Sequence, residues 1–322
     1  MGFIKQNRFS QHTSCPSCKA VDLKLVTDTV RFERKASIYH CNKCDLTFLD
    51  QNSYKFPQDF YRAEYHQTYL THIEPDADQP KKYFNKMKKA TKIWADRFRT
   101  MLKGNETVLD VGCSSGHFIK LIQDKTRSVY GCELNKKEIE FCKKELDLDV
   151  SDEEPRKRFP SLKFDYITCI FVLEHIGQPV KFLKSLKALL KPHGKIIAVV
   201  PSLQDPLISL YDIPEFKKFY FCVEHLYYYN QITINNVFRK AGLNGVIESI
   251  QEYPLNNHMF WLYQKRAADV LRSRQVIPQA KFAKHSTARA WQAMWQDFNS
   301  QYQEFLTDHG FGDRLWCVMG KL

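Results

Sequence analysis

Residues Thr107 to Phe118 read T-V-L-D-V-G-C-S-S-G-H-F, a short apolar strand that runs into Gly112 and Gly116 and then directly into an amphipathic helix. Glycine accepts the positive backbone angles of a tight bend and lets the backbone approach a ligand closely. A helix starting at about Ser115 aims unpaired N–H groups and a positive dipole end at an anion, so a carboxylate or phosphate suits this turn. The G-x-x-x-G spacing misses the dinucleotide fingerprint G-x-G-x-x-G, which argues against a nicotinamide cofactor. Past the helix, which should reach Gln123, a second strand from Ser128 to Cys132 ends in Glu133. An acid there, roughly 20 residues beyond the glycines, is placed to accept hydrogen bonds from ribose hydroxyls.

A second chemical signal lies near the N-terminus, where Cys15-P-S-Cys18 and Cys41-N-K-Cys44 form two C-x-x-C knuckles with 22 residues, 19 to 40, between them. Each knuckle can supply two thiolates to one tetrahedral ion, the layout of a zinc ribbon, with a spacer slightly above the usual roughly 15–20 residues. Four protein ligands close the shell, so the implied zinc is structural. His12 and His40 stand beside the knuckles and are not needed. The stretches from Val21 to Asp28 and from Glu33 to His40 read as the two strands of a hairpin. So small a unit buries little core, and metal binding is expected to supply its folding energy.

The elements that must position these groups alternate strand and helix, and together they carry a resemblance. D-V-G-C-S-S-G-H-F resembles the glycine-rich donor loop of the class I S-adenosylmethionine-dependent methyltransferases, and Glu133 resembles their ribose acid. F-D-Y-I-T-C-I-F-V-L-E-H-I-G-Q-P, from Phe164, resembles their fourth strand and its loop; Leu189 to Ser202, L-L-K-P-H-G-K-I-I-A-V-V-P-S, resembles their fifth strand. The order of these pieces over residues 107 to 202 is more specific than any one of them. The alternative is an ordinary nucleotide-binding strand-turn-helix without methyl transfer.

That resemblance implies an α/β fold, a Rossmann-like seven-stranded sheet with helices on both faces, whose last strand, Arg314 to Met319, runs antiparallel to the other six. It implies S-adenosyl-L-methionine as donor, gripped by Asp110, Gly112, Cys113, Ser114 and Gly116, with Glu133 on the ribose. Asp152 or Glu153 is expected near the adenine amine and Phe171 beside the donor. The expected division is a zinc-ribbon module over 1–50, an aromatic linker and lead-in helix over 51–106, and the methyltransferase domain over 107–322. A helical insertion falls at about 254–310. In the linker, Phe84, Met87, Thr91, Trp94, Phe98 and Met101 give one apolar helix face, closed by Gly104. The aromatic stretch Tyr54 to Tyr69 is expected to roof the substrate pocket, with Tyr65 as a substrate contact.

Methyl transfer from a sulfonium depends on alignment, and an alcohol or carbon acceptor also needs a base. Two Glu-His pairs, Glu174-His175 and Glu224-His225, sit where loops should leave the carboxyl edge of the sheet. A histidine beside a carboxylate titrates near neutrality, which suits proton abstraction. His175 is expected to line the pocket. The second pair, in F-C-V-E-H-L-Y-Y-Y, together with the four-cysteine module, resembles bacterial sugar methyltransferases whose histidine acts as base. Q-E-Y-P-L-N-N-H-M-F-W-L, from Gln251, is similar to a segment of methyltransferases of surface-polysaccharide gene clusters, which makes Asn257 and His258 candidate substrate contacts. Phe221-Cys222 stands where an aromatic hydroxyl is expected, so O-methylation ranks above C-methylation. The expected substrate is a nucleotide sugar or surface glycan, with His225 as base and Glu224 beside it; the alternatives are RNA methylation and a catalytically silent donor-binding module.

The 322 residues carry a net charge of +12, with lysines mostly on the polar faces of expected helices. Solvated faces explain them, and the excess suits an anionic substrate such as a nucleotide sugar better than a nucleic acid. The most apolar run, Lys195 to Val200, is far shorter than the roughly 20 residues of a membrane span. The N-terminal residues lack an apolar signal core, so the ten cysteines are expected to stay as thiols or bind metal in a cytoplasmic protein.

Overall fold

The computed structural model describes residues 13–54, 60, 71, 76, 78–266 and 286–322. Its strands are β1 (Leu23–Val30), β2 (Arg34–Cys41), β3 (Thr47–Leu49), β4 (Thr107–Val111), β5 (Ser128–Cys132), β6 (Val150–Ser151), β7 (Phe164–Ile170), β8 (Leu190–Pro201), β9 (Tyr227–Tyr228), β10 (Leu243–Ile250) and β11 (Arg314–Lys321). Seven of them form one sheet in the order β10-β11-β8-β7-β4-β5-β6. The pairs β4–β5, β4–β7, β5–β6 and β7–β8 are parallel, whereas β11 runs antiparallel to β8 and β10. Parallel strands covered on both faces read as continuous apolar runs, and Ile196 to Val200 is buried throughout.

Helices α1 (Pro80–Ala90), α2 (Lys92–Arg99) and α3 (His117–Ile122) cover one face, where Trp94, Phe98, Phe118 and Ile122 pack with Ile197, Val199 and Trp316. Helix α4 (Lys136–Leu146) closes over Cys113, Ile119 and Val150. A four-residue turn, α5 (Pro155–Arg158), precedes β7, and α6 (Pro179–Lys187) packs on the opposite face. Beyond β8 come α7 (Pro206–Ser209), α8 (Pro214–Tyr220) and α9 (Gln231–Lys240). Asn230 begins α9 with a reciprocal capping box to Thr233, and Gly242 at φ +75° follows its end. Strand order reverses between β4 and β7, which places the glycine turn at the ligand-binding crevice of an open α/β sheet.

Two local expectations are revised. The apolar stripe from Phe84 to Met101 is two helices, broken at buried Thr91, whose carbonyl accepts from the amides of Trp94 and Ala95. The second ends at Arg99, before Gly104. The insertion provides α10 (Leu255–Gln264) and α11 (Ser286–Asp308). Along α11, Leu306 and Asn299 are buried, yet Trp291, Met294, Phe298 and Phe305 are 42–56% exposed, so much of its apolar periodicity faces outward.

The N-terminal strands form a four-stranded antiparallel sheet, β1-β2-β3-β9. Its fourth strand, β9, comes from the loop that carries Glu224 and His225, because Thr47 and Phe48 pair with Tyr228 and Tyr227. Asn230 also binds Asp45 through its side chain. Residues 13–49 are thereby joined through backbone hydrogen bonds to the later part of the chain.

Candidate active site

At the end of β4 the Gly112 and Cys113 amides both donate to the Cys132 carbonyl, at 2.8 and 3.1 Å, tying the bend to β5. Gly112 and Gly116 have φ of +76° and +74°. A Cβ on Gly112 would stand 2.6 Å from Val172 Cγ2, and one on Gly116 2.6 Å from Leu148 Cδ1, so conformation and space both demand glycine. Ser114 at φ +49° adds another left-handed turn, which delays α3 to His117, two residues beyond the expected start. The Ser114 hydroxyl donates to buried Glu138 at 3.0 Å.

Glu133 binds this turn directly. Its Oε2 accepts from the Ser114 amide at 2.9 Å, and its Oε1 from the Leu134 and Asn135 amides at 2.6 and 2.9 Å. A carboxylate offers about four acceptor directions, so about one remains for a ligand hydroxyl. Asp110 lies 2% exposed within β4 and accepts from Thr168 Oγ1 at 2.6 Å. Burial pushes its carboxyl up to about 7 against that hydrogen bond. Phe171, just past β7, has φ +57°, uncommon for a bulky residue, and its ring meets Trp94 edge-on. Asp152 and Glu153 are exposed beyond β6; Asp152 lines an open cavity of about 370 Å³ with Lys136, Ile139 and Lys143 of α4.

At the same edge, the two Glu-His pairs come together. A Glu174 carboxylate oxygen and one ring nitrogen each from His175 and His225 lie within 4.8 Å of one another; so do Cys222 Sγ, a Glu224 oxygen and a His225 nitrogen. The His175 and His225 rings meet edge-to-face at 4.9 Å. His175 Nδ1 stands 2.8 Å from the Glu224 carbonyl, the position of a donated N–H, and the Leu226 amide donates to the Glu174 carbonyl at 2.8 Å. Glu224 is 2% exposed and ion-paired to Arg31 at 3.2 Å. Burial above all, then His175, Arg31 and Arg314, hold His225 well below the usual imidazole range. Glu174 is pushed up by burial to about 8.

Asn257 and His258 occupy the buried side of α10. The His258 Nδ1 lies 2.6 Å from the Tyr302 hydroxyl, and Nε2 3.2 Å from Gln251 Nε2, tying α10 to α11. Tyr65 lies outside the described residues.

The two knuckles repeat one backbone geometry. Lys19 donates to the Cys15 carbonyl and Asp45 to that of Cys41, each at 2.9 Å, with φ of +63° and +65°. The sulfurs of Cys15 and Cys44 are 3.5 Å apart, as are those of Cys18 and Cys41, and all four lie within 4.8 Å. Tetrahedral zinc at about 2.3 Å from each sulfur sets them about 3.8 Å apart, so the four thiols fit such an ion.

Residues 81–248 match the family model described as "Methyltransferase domain". The chain belongs to the class I S-adenosylmethionine-dependent methyltransferases. This methyltransferase is 30% identical over 139 residues to the tRNA U34 carboxymethyltransferase of Nautilia profundicola, a match over 37% of this chain and 46% of that protein. Over 110 residues it is 31% identical to the mitochondrial ubiquinone biosynthesis O-methyltransferase of Schizosaccharomyces pombe, covering 31% of this chain and 39% of the relative. The matches thus span less than half of either relative. A SAM-dependent methyltransferase structure from Archaeoglobus fulgidus aligns with a TM-score of 0.47 at 19% identity, covering 73% of this chain and 94% of that one.

Several residues of the methyltransferase's carboxyl edge escaped the sequence reading. Arg31 carried no motif. Tyr220 and Tyr229 carried no expected role either, and both are buried. Tyr228 closes the His225 loop by donating to the Cys222 carbonyl and accepting from its amide, both at 2.8 Å. An aromatic hydroxyl therefore does reach Cys222, from the C-terminal side of His225.

Proposed function

We propose that this methyltransferase transfers a methyl group to a hydroxyl of a sugar, carried as a nucleotide sugar or within a glycan, with His225 as the base. The observation that carries the reading is the meeting of half-buried His225 with Glu174 and His175 at the carboxyl edge of the sheet. Bound S-adenosylmethionine supplies an electrophilic methyl on sulfonium. Gly112, Cys113 and Gly116 shape the bend that receives its amino-acid end, Glu133 accepts one ribose hydroxyl, and Phe171 borders the donor. The acceptor oxygen bonds the methyl carbon as the carbon–sulfur bond breaks, and the hydroxyl proton passes to the His225 ring. Neutrality gives the imidazole the lone pair this needs. Glu224, tied to Arg31, holds the loop. His258 is left out of the acceptor contacts because it already meets protein partners at both nitrogens, whereas Asn257 beside it remains a candidate contact.

Cys15, Cys18, Cys41 and Cys44 hold a structural zinc in this reading; their sulfur spacing supports it. RNA is the second reading, favoured by the name of the Nautilia relative. Methyl-labelled donor offered with nucleotide sugars, glycans and RNA separates the two. Label in sugars, abolished by His225→Ala with donor affinity intact, is the expected result. Label confined to RNA overturns the sugar assignment, and full activity of the variant removes the base.

A further inference from the structure

Among the described residues, four buried polar atoms in and around the Glu-His loops have no hydrogen-bond partner: Glu174 Oε2, Tyr220 Oη, His225 Nδ1 and Tyr229 Oη. Glu174 and Tyr229 are each 1% exposed and Tyr220 7%. Buried polar groups are paired in the great majority of cases, so four orphans in one region need an explanation. They share a neighbourhood. Glu174 and His225 belong to one cluster within 4.8 Å. Burial, and in each case also Glu174, push the Tyr220 and Tyr229 phenols well above their ordinary range.

We infer that Glu174, Tyr220, His225 and Tyr229 form the acceptor cradle and bind an uncharged, hydroxyl-rich ring. This rests on the sugar reading above and names the groups that would recognise the sugar. The matching is chemical. A phenol both donates and accepts, as a sugar hydroxyl does, and a carboxyl and an imidazole extend the same pattern. An apolar acceptor would leave all four atoms orphaned. Phosphate would need a cation, and the nearby arginines are committed, Arg31 to Glu224 and Arg314 to Glu252 and the Asp313 carbonyl.

Orphaned atoms that serve a ligand have a signature in the free protein. Removing them leaves stability unchanged or raises it, while weakening binding. Tyr220→Phe, Tyr229→Phe and Glu174→Gln in the full chain with its metal are therefore expected to melt at or above the wild-type temperature. Tyr228→Phe, which breaks two hydrogen bonds, should melt lower. With S-adenosylhomocysteine present, calorimetry with UDP-glucose, UDP-galactose and UDP-N-acetylglucosamine should show binding of at least one, weakened roughly tenfold by each cradle variant. Cradle variants that melt as low as Tyr228→Phe, probes that do not bind, or affinities indifferent to all three substitutions overturn the proposal. So does stabilisation by MnCl₂ that Glu174→Gln abolishes, which would assign the cluster to a cation. The melting data judge the cradle alone, whereas label transfer in the presence of His225→Ala judges the base.

Discussion

Arg31, at the tip of the β1–β2 hairpin, donates to Glu224 across 3.2 Å, although 193 residues separate them. The same guanidinium donates through Nε to the Phe219 carbonyl at 2.6 Å and lies over the Phe219 ring, and the Arg31 amide donates to the Phe221 carbonyl at 2.8 Å. Glu224 in turn offers its carbonyl to His175. The four-cysteine unit therefore braces the segment that presents His225.

Removing one partner of a buried ion pair strands the other. Arg31→Ala should destabilise the chain by about 3–5 kcal/mol, and Arg31→Ala/Glu224→Gln by less, since the second change removes the stranded charge. Urea unfolding of the single and double variants checks this. A double variant no more stable than Arg31→Ala would show that packing on Phe219 carries the effect.

If the four thiols hold zinc, Cys15→Ser or a strong chelator should release one metal per chain and free the β3–β9 pairing. Amide exchange at Tyr227 and Tyr228 reports this. Exchange at β4 and β5, in the other sheet, should stay slow.

Gly116→Ala places a Cβ 2.6 Å from Leu148 at φ +74°. Strain of about 1–3 kcal/mol is expected, relieved by shifting the turn. Donor affinity, read by calorimetry, should fall at least tenfold while the far-ultraviolet spectrum is kept.

His258 is fully enclosed, and burial lowers its imidazole to about 3. Because the folded value lies below the unfolded one, its contribution is present above about pH 6.5 and is lost as pH falls toward 3. His258→Gln should thus be less stable than wild type at pH 7.5, with the gap narrowing by up to about 2–3 kcal/mol at pH 4.5. A gap independent of pH in urea unfolding would mean that the ring titrates normally.

What the sequence disclosed was local. The strand-glycine-helix turn at Thr107–Phe118 and the tip position of Glu133 each depend on residues a few places apart, and both are present, with the helix starting two residues later than expected. The seven-stranded sheet with its antiparallel last strand was implied by the family resemblance, and the observed strand order agrees with it. The break at Thr91 was hidden because helical periodicity continues across it. On α11 the apolar spacing marks a helix but does not say which part of it packs, since periodicity names a face and not its neighbour.

The sequence by itself determined the strand-glycine-helix turn and the two cysteine knuckles, because each rests on residue types and bond geometry a few places apart. Only the tertiary structure decided which carboxylate meets which cation, that Tyr227 and Tyr228 complete the N-terminal sheet, and that Glu174, Tyr220, His225 and Tyr229 leave polar atoms orphaned together. Those relations join segments up to 193 residues apart. Burial and dielectric, which set their energies, exist only once the chain has closed around them.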